Sequence, residues 1–312
     1  MKKTVLIIGI SSFVGSNLAL VLKNDYRVVG TYYKMPVEIP GVTCYPCDVF
    51  KKDYLLNLIG LIKPDFTIYA VGISSLTECN LHPKQADALN AVGAVNACTA
   101  SERYGSKFIY FSSCYVMGGE NQLYKESDTP FPNTVYGSTL SSTEFYIQRS
   151  CLNYLVLRCS PLYGRSYGPR HPNWFEFIQS SLVQNVSLLA DDKVTTGFLD
   201  IAIMGKLLKS FMDSGVSNRL FQVSSRDHLT RYEFARLVAK VFKKDDNLIQ
   251  RSSIPFPVEA GRAADSGMGS SSQQFFKMDS LNIEEFLKLK MPTIEESLQL
   301  TQKRLMGHAL PG

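Results

Sequence analysis

The chain opens Met1-Lys-Lys-Thr-Val-Leu-Ile-Ile-Gly-Ile-Ser-Ser-Phe-Val-Gly15, and no other stretch constrains the fold as tightly. Thr4 to Ile8 is an unbroken apolar, β-branched run, the composition of a parallel strand buried on both faces. Gly9 ends it. Phe13, Val14, Asn17, Leu18, Val21 and Leu22 then recur at helical spacing, so strand passes straight into helix. Gly9 and Gly15 stand six apart, as in a turn that closes a strand, opens a helix and binds phosphate. Such a turn needs tight backbone geometry, close approach to a pyrophosphate and N–H groups aimed at the anion. Ser12 takes the place of a middle glycine; it is small and keeps a hydroxyl near the phosphates. Taken alone, the stretch fits either a dinucleotide site or an ordinary strand–loop–helix unit.

Beyond the first helix, strands and helices alternate. Tyr26–Tyr33 reads as a second strand, and at its end a site selective for an unphosphorylated ribose would carry Asp or Glu. The run is instead Thr31-Tyr32-Tyr33-Lys34, so Lys34 either faces a 2′-phosphate or is a solvated lysine at a strand end. Val42–Asp48 is a short strand, Lys52–Ile62 a helix and Phe66–Gly72 a buried strand. A helix is predicted over Pro83–Tyr104, with Ala-rich spacing suited to close packing, and a strand over Lys107–Ser113. Glu120–Asn133 is a polar loop, Tyr136 opens a helix to about Arg149, and Asn153–Arg158 is a further strand. Such alternation makes a doubly wound parallel sheet wrapped on both faces. Ser113 then falls at the carboxyl end of a central strand, where open α/β sheets place their ligands.

After Gly164 the pattern loosens. Arg165–Pro172 has the composition of an ordered loop, Trp174–Val183 is an amphipathic helix, and Phe198–Ala202 is read as the start of another. Arg219–Val223 is a strand, Arg231–Phe242 a helix, Gly261–Gln274 a Gly/Ser-rich mobile flap, and Thr293–Leu305 a closing helix. The expected organisation is a nucleotide-binding unit over 1–160, with 195–225 returning to it. A smaller lobe is built from 161–194 and 226–312.

Composition narrows the partners. The net charge of +5 is mild and spread along the chain, which favours anionic small molecules over nucleic acid. Seven cysteines are scattered, and Cys44-x-x-Cys47 has no second pair at zinc-ligand spacing, so reduced thiols and no metal site are expected. Lys2-Lys3 before an apolar run has the look of a signal peptide, but Gly9, Ser11, Ser12, Gly15, Ser16 and Asn17 break it up. No later segment is long enough and apolar enough to span a bilayer, and a cytoplasmic protein without a membrane partner is expected.

A glycine turn, a strand-end serine and a tyrosine opening a helix now line up. Together with Ser113-Cys-Tyr-Val-Met-Gly-Gly119, Tyr124-x-Glu126-x-Asp128-x-Pro130-x-Pro132, Tyr136-Gly-x-Thr139 with Glu144, Leu157-Arg-Cys-Ser160 and Arg231-Tyr-Glu-Phe-Ala235, they carry a resemblance. The chain resembles the extended short-chain dehydrogenase/reductase family, within it the nucleotide-sugar reductases of the dTDP-4-dehydrorhamnose reductase type. The ordered set from residue 4 to about residue 300 is what is specific; no single motif is.

The resemblance implies a Rossmann-like sheet with a smaller C-terminal α/β substrate lobe, and NADP, with NAD possible, as cofactor. It implies a nucleotide-sugar substrate, with a homodimer possible. Tyr136 would exchange a proton with the substrate oxygen while Ser113 hydrogen-bonds it. Gly9, Ser11, Ser12, Phe13, Val14 and Gly15 would hold the pyrophosphate, with Tyr33 and Lys34 toward the ribose. Asp48, Val49, Ala70, Val71 and Gly72 would flank adenine and ribose. Cys114, Tyr115, Arg158, Asn173, Trp174 and Arg262 would lie toward the sugar nucleotide, an arginine fork being suited to phosphate oxygens.

One departure matters. The family pattern is Tyr-x-x-x-Lys, and the residue four after Tyr136 is Leu140. That lysine would share a helix face with the tyrosine, lower its pKa and anchor the cofactor ribose; leucine does neither. Proton removal suffers most from the loss, so oxidation or epimerisation is affected more than reduction, for which a neutral tyrosine is still an acid. Cys114 also stands where these reductases often carry an acid. Two readings stay open: an NADP-linked reductase of a keto-sugar, with epimerase or dehydratase as its nearest variant, and a non-catalytic NAD(P)-binding regulatory subunit.

Overall fold

In the computed structural model, which describes residues 2–167, 172–252 and 273–307, the first strand β1 (Thr4–Ile8) is buried along its length. α1 (Phe13–Leu22) carries the chain to β2 (Arg27–Tyr32); β3 (Thr43–Pro46) comes next, and α2 (Lys52–Ile62) returns it to β4 (Phe66–Tyr69). β1 pairs in parallel with β2 on one edge and β4 on the other, which explains why a run of aliphatic residues is tolerated there.

The crossover after β4 departs from the single helix predicted over Pro83–Tyr104. α3 (Leu76–Leu81) precedes α4 (Pro83–Asp87), a π-helical turn occupies Ala88–Val92, and α5 (Gly93–Arg103) continues. The cause is visible in the backbone carbonyls. Leu89 O accepts from the Tyr69 hydroxyl at 2.7 Å, and Asn90 O accepts from Tyr110 and Thr143 hydroxyls at 3.3 Å each. Carbonyls drawn outward by side-chain donors widen the turn, a feature that spacing alone does not reveal.

β5 (Lys107–Ser113) ends in a 3-10 turn, Cys114–Val116, and the loop beyond holds β6 (Leu123–Tyr124). α6 (Val135–Ser150) leads to β7 (Tyr154–Cys159) and β8 (Leu162–Tyr163). Then come α7 (Trp174–Val183), β9 (Leu188–Asp191), β10 (Val194–Thr196) and β11 (Leu199–Asp200). Here the sequence reading of Phe198–Ala202 as a helix start needs correcting. Leu199 and Asp200 pair in parallel with Leu162 and Tyr163, and helix α8 (Ile201–Ser214) begins only at Ile201. Asp200 caps it, accepting the Ala202 N–H at 2.6 Å.

β12 (Arg219–Val223) rejoins the main sheet, whose order is β12-β7-β5-β4-β1-β2-β3, with every pair parallel. The direction of winding reverses between β1 and β4. One face is packed by α1 and α8 around Leu18, Leu22, Met204, Leu208 and Phe211; the other by α2, α5 and α6 around Leu55, Ile59, Ala97, Leu140 and Ile147. Each large buried aliphatic side chain contributes roughly 1.5–3 kcal/mol by removal from water.

The rest of the chain gives β13 (Leu229–Thr230), α9 (Arg231–Val241), β14 (Ile249–Ser252), β15 (Gln274–Met278), α10 (Leu281–Leu287) and α11 (Ile294–Leu305). A small sheet, β13-β10-β15-β6, stands beside the carboxyl end of β5, and a third core of Phe175, Ile178, Phe234, Val238 and Leu298 joins α7, α9 and α11. Gln274 opens β15 rather than closing a flap; the rest of the flap's Gly/Ser-rich run (261–272), including Arg262, lies outside the described residues. Among the described residues all seven cysteines are free, no cluster of side chains is arranged to hold a metal ion, and no helix is long and apolar enough to cross a membrane.

Candidate functional site

The glycine turn is built almost wholly from backbone. Gly9 adopts φ +87°, and a side chain there would meet Val71 Cγ2 at 2.6 Å and Ala70 O at 2.9 Å. A side chain at Gly15 would overlap Gly9 O and come within 2.8 Å of Ile10 Cα, so the helix start lies directly on the strand end. The N–H groups of Gly9 and Ile10 both donate to Thr31 O, at 3.0 and 2.8 Å, tying the turn to β2. Ser12 is the N-cap of α1; its hydroxyl accepts the Gly15 N–H at 2.9 Å. Helix geometry leaves the Phe13 and Val14 N–H groups without intrahelical acceptors, and no acidic side chain occupies the first turn.

Ala70, Val71 and Gly72 follow β4 across the switch point. A side chain at Gly72 would meet Asn90 Oδ1 at 2.6 Å. Asn90 fastens this segment: Oδ1 accepts the Ile73 N–H at 2.8 Å, while Nδ2 donates to Ile73 O and to Thr139 Oγ1, each at 3.1 Å. The π turn thus links the rim of the glycine turn to α6. Asn90 went unremarked in the sequence, where it sits inside an Ala-rich helical pattern. Asp48 is half-buried, its Oδ1 accepting the Phe50 N–H at 3.0 Å, and Val49 O accepts from Asn96 at 3.0 Å. Tyr33 is 62% exposed, and the Lys34 ammonium lies 5.2 Å from its ring centroid.

A second corner lies where β5 meets α6. Thr134 caps α6, accepting the Gly137 N–H at 3.0 Å. A side chain at Gly137 would overlap the Tyr115 carbonyl, so this glycine lets α6 start against the end of β5. The result sets Tyr136 against the end of β5, near enough for the Ser113 hydroxyl to act on its phenol. The Tyr115 and Tyr136 rings meet edge to face at 6.2 Å. Burial, and then the thiols of Cys114 and Cys79, hold the Tyr136 phenol well above the usual tyrosine range, against the Ser113 hydrogen bond. Cys114 is fully buried, its Sγ 3.9 Å from Ser113 Oγ and 3.7 Å from Thr196 Oγ1, and burial pushes its pKa up to about 11. Leu140 is 4% exposed and belongs to the apolar core on this side of the sheet.

Three residues expected to face a sugar nucleotide make contacts within the protein. Arg158 is 2% exposed and held by Glu144 of α6, with Nε 3.1 Å from both carboxylate oxygens and Nη2 2.8 Å from Oε2. These bonds tie α6 to β7, and Nη1 has no hydrogen-bond partner among the described residues. Asn173 caps α7 in a reciprocal capping box with Glu176, and its Nδ2 donates to Gly164 O at 2.8 Å. Trp174 is half-buried and stacks on Phe177 at 6.0 Å; its indole N–H is buried without a hydrogen-bond partner among the described residues.

Known proteins share both this sequence pattern and this fold. The family model described as RmlD substrate binding domain matches residues 1–291. The chain is 25% identical over 300 residues to a probable low-salt glycan biosynthesis reductase of Haloferax volcanii, covering 93% of this chain and 94% of that one. It is 31% identical over 169 residues to the methionine adenosyltransferase 2 subunit beta of Bos taurus, 52% of this chain and 49% of the other. In structure it is similar to a dTDP-4-dehydrorhamnose reductase of Bacillus anthracis in complex with NADP. That likeness has a TM-score of 0.80 at 18% identity and spans 97% of this chain and 100% of that one, a likeness of fold.

Proposed function

The chain belongs to the RmlD substrate binding domain family, and from that premise we propose that it is an NAD(P)-dependent reductase of a nucleotide-activated keto-deoxysugar. The observation that carries this reading is the start of α6, with Tyr136, laid against the carboxyl end of β5, with Ser113, at the same sheet end as the glycine turn.

The residues fit a dinucleotide. Gly9 and Gly15 keep open a cradle that side chains would fill, and the first turn of α1 offers unpaired N–H groups free of acidic neighbours. Gly9, Ser11, Ser12, Phe13, Val14 and Gly15 would hold the pyrophosphate. Tyr33, Lys34, Asp48, Val49 and the Ala70–Gly72 segment would take the adenosine half. A bound nicotinamide supplies the hydride. Ser113 orients the substrate oxygen by a hydrogen bond, and Tyr136 gives that oxygen its proton. The Bacillus anthracis structure is described with NADP, and the Haloferax relative is described as a reductase; both support the assignment.

A second reading has its own support. The Bos taurus relative is described as the beta subunit of another enzyme, and Leu140 removes the ammonium that family chemistry uses. Calorimetry with NADPH and NADH, and then NADPH oxidation with a dTDP-4-keto-6-deoxysugar, separates the two. Binding with turnover is expected. Binding without turnover on any nucleotide keto-sugar favours the regulatory subunit, and absence of binding at about millimolar cofactor, far weaker than a built site gives, overturns both.

A further inference from the structure

We propose that Arg165, on the loop after β8, is a diphosphate-binding residue whose guanidinium serves the pyrophosphate of the dinucleotide at the first turn of α1. This deepens the reductase reading and rests on it for the identity of the ligand. It adds to the glycine turn a charge that the turn's own sequence does not contain.

The backbone that carries Arg165 is fixed at each step. Gly164 takes φ +143°, and a side chain there would come within 2.8 Å of Ile201 Cγ2, so the chain turns hard against the first residue of α8. Gly164 O accepts from Asn173 Nδ2 at 2.8 Å. Arg165 O accepts from Asn17 Nδ2 of α1 at 2.9 Å. The Ser166 N–H donates to Glu176 Oε1 at 2.7 Å, and Ser166 Oγ accepts from Asn173 Nδ2 at 3.3 Å. Consecutive residues of this loop are thus pinned from α1 on one side and from the start of α7 on the other.

Asn17 sets the level along the helix. It is 5% exposed, and its Nδ2 also donates to Phe13 O at 2.9 Å, since helical side chains lean toward the N-terminus. One amide nitrogen therefore joins the Arg165 backbone to the first turn of α1, whose Phe13 and Val14 N–H groups lack intrahelical acceptors. An extended arginine side chain is longer than one helical turn of about 5.4 Å, so the guanidinium reaches the helix end from this mount. Arg165 is exposed, with its guanidinium carbon 5.7 Å from the Tyr167 ring centroid, and among the described residues no ion pair holds it. Glu176, the carboxylate nearest along this loop, spends Oε1 on the Ser166 N–H and Oε2 on the Asn173 N–H.

The sign of the electrostatics carries the inference further. A helix N-terminus is the positive end of its dipole, and cations are favoured at the opposite end. α1 has no acid in its first turn to offset a cation beside it. Without an anion, a guanidinium mounted here is opposed by the helix. With a pyrophosphate present, the helix N–H groups and the guanidinium attract the same charge, and the planar fork binds two phosphate oxygens at once. A group that disfavours the protein without ligand and favours the complex is the mark of a binding residue.

The test compares the full chain with its Arg165→Ala and Arg165→Lys variants. Each is titrated by calorimetry with NADP+, dTDP and inorganic pyrophosphate, and each is melted without nucleotide at low salt. Arg165→Ala should bind NADP+ and pyrophosphate about 10- to 100-fold more weakly, the loss of a charge-assisted, two-pronged contact, with its affinity for dTDP unchanged. Its melting temperature without nucleotide should rise by about 1–2 °C, since a cation leaves the positive end of α1. Arg165→Lys keeps the charge without the fork and should fall between the two. An NADP+ affinity of Arg165→Ala within about threefold of wild type overturns the proposal. So does a loss confined to dTDP, which gives the guanidinium to the substrate, or weaker binding together with a lowered melting temperature, which makes Arg165 a structural residue. If the wild type binds neither NADP+ nor NADPH, the reductase reading falls and pyrophosphate decides for Arg165. Binding that Arg165→Ala weakens upholds its role, and absent or unaltered binding ends it.

Discussion

The glycine turn at Gly9–Gly15 and the corner at Ser113, Tyr136 and Leu140 stand at the same end of one sheet but are made of different material. The turn is backbone: N–H groups, a positive φ and two glycines packed against main-chain atoms. The corner is side chain: a hydroxyl, a phenol, three thiols and a leucine. Ser12 shows what this means at the turn, since it stands in for an expected glycine and serves as the helix cap without disturbing the geometry. Leu140 shows the contrary case. There a leucine packs into the core without disturbing the fold, and on the proposed reading what it withholds is a charge and not a path of the chain.

That contrast can be broken most forcefully at the turn. Gly15→Val puts atoms where Gly9 O and Ile10 Cα already are, and no rotamer relieves a clash with main chain. Cofactor binding should be abolished in calorimetry, with a lowered melting temperature; retained affinity would show that the turn is not the site. The corner has its own backbone-like element in the Glu144–Arg158 pair, which ties α6 to β7. Glu144→Ala strands a buried guanidinium and should cost about 3–5 kcal/mol in chemical denaturation. A loss below about 1 kcal/mol, the range of exposed pairs, would mean that the pair is solvated in solution.

Leu140→Lys sharpens the comparison by returning an ammonium to the corner. Since Leu140 is buried in the core, the variant without cofactor should lose stability, as an unpaired buried lysine does. NADP+ should then raise its melting temperature more than it raises that of the wild type, and the titration midpoint of Tyr136 should fall. An unchanged midpoint would place the lysine away from the phenol. The smallest effect belongs to the exposed rim of the turn. Lys34→Ala should shift the NADPH-to-NADH affinity ratio by less than about fivefold, as befits one exposed contact. No shift at all would assign Lys34 to its contact with the Tyr33 ring alone.

The sequence by itself determined the sheet. Runs such as Thr4–Ile8 and Lys107–Ser113 read as buried parallel strands, and the helices Lys52–Ile62 and Trp174–Val183 arise from periodicity; these four elements lie at the residues expected. It also determined which glycines sit in the turn, since backbone geometry is a local demand. The tertiary structure decided the rest, because partners distant in sequence set it. The π turn at Ala88–Val92 exists because Tyr69, Tyr110 and Thr143 pull on its carbonyls. Leu199–Asp200 pairs with Leu162–Tyr163, more than thirty residues earlier, where the sequence reads a helix start. Arg158 meets Glu144 because α6 lays a carboxylate over β7, and the groups acting on Tyr136 come from α3, β5 and β7 at once. A side chain's chemistry depends on its neighbours' charge and burial, and those neighbours are fixed by packing, which no window of sequence contains.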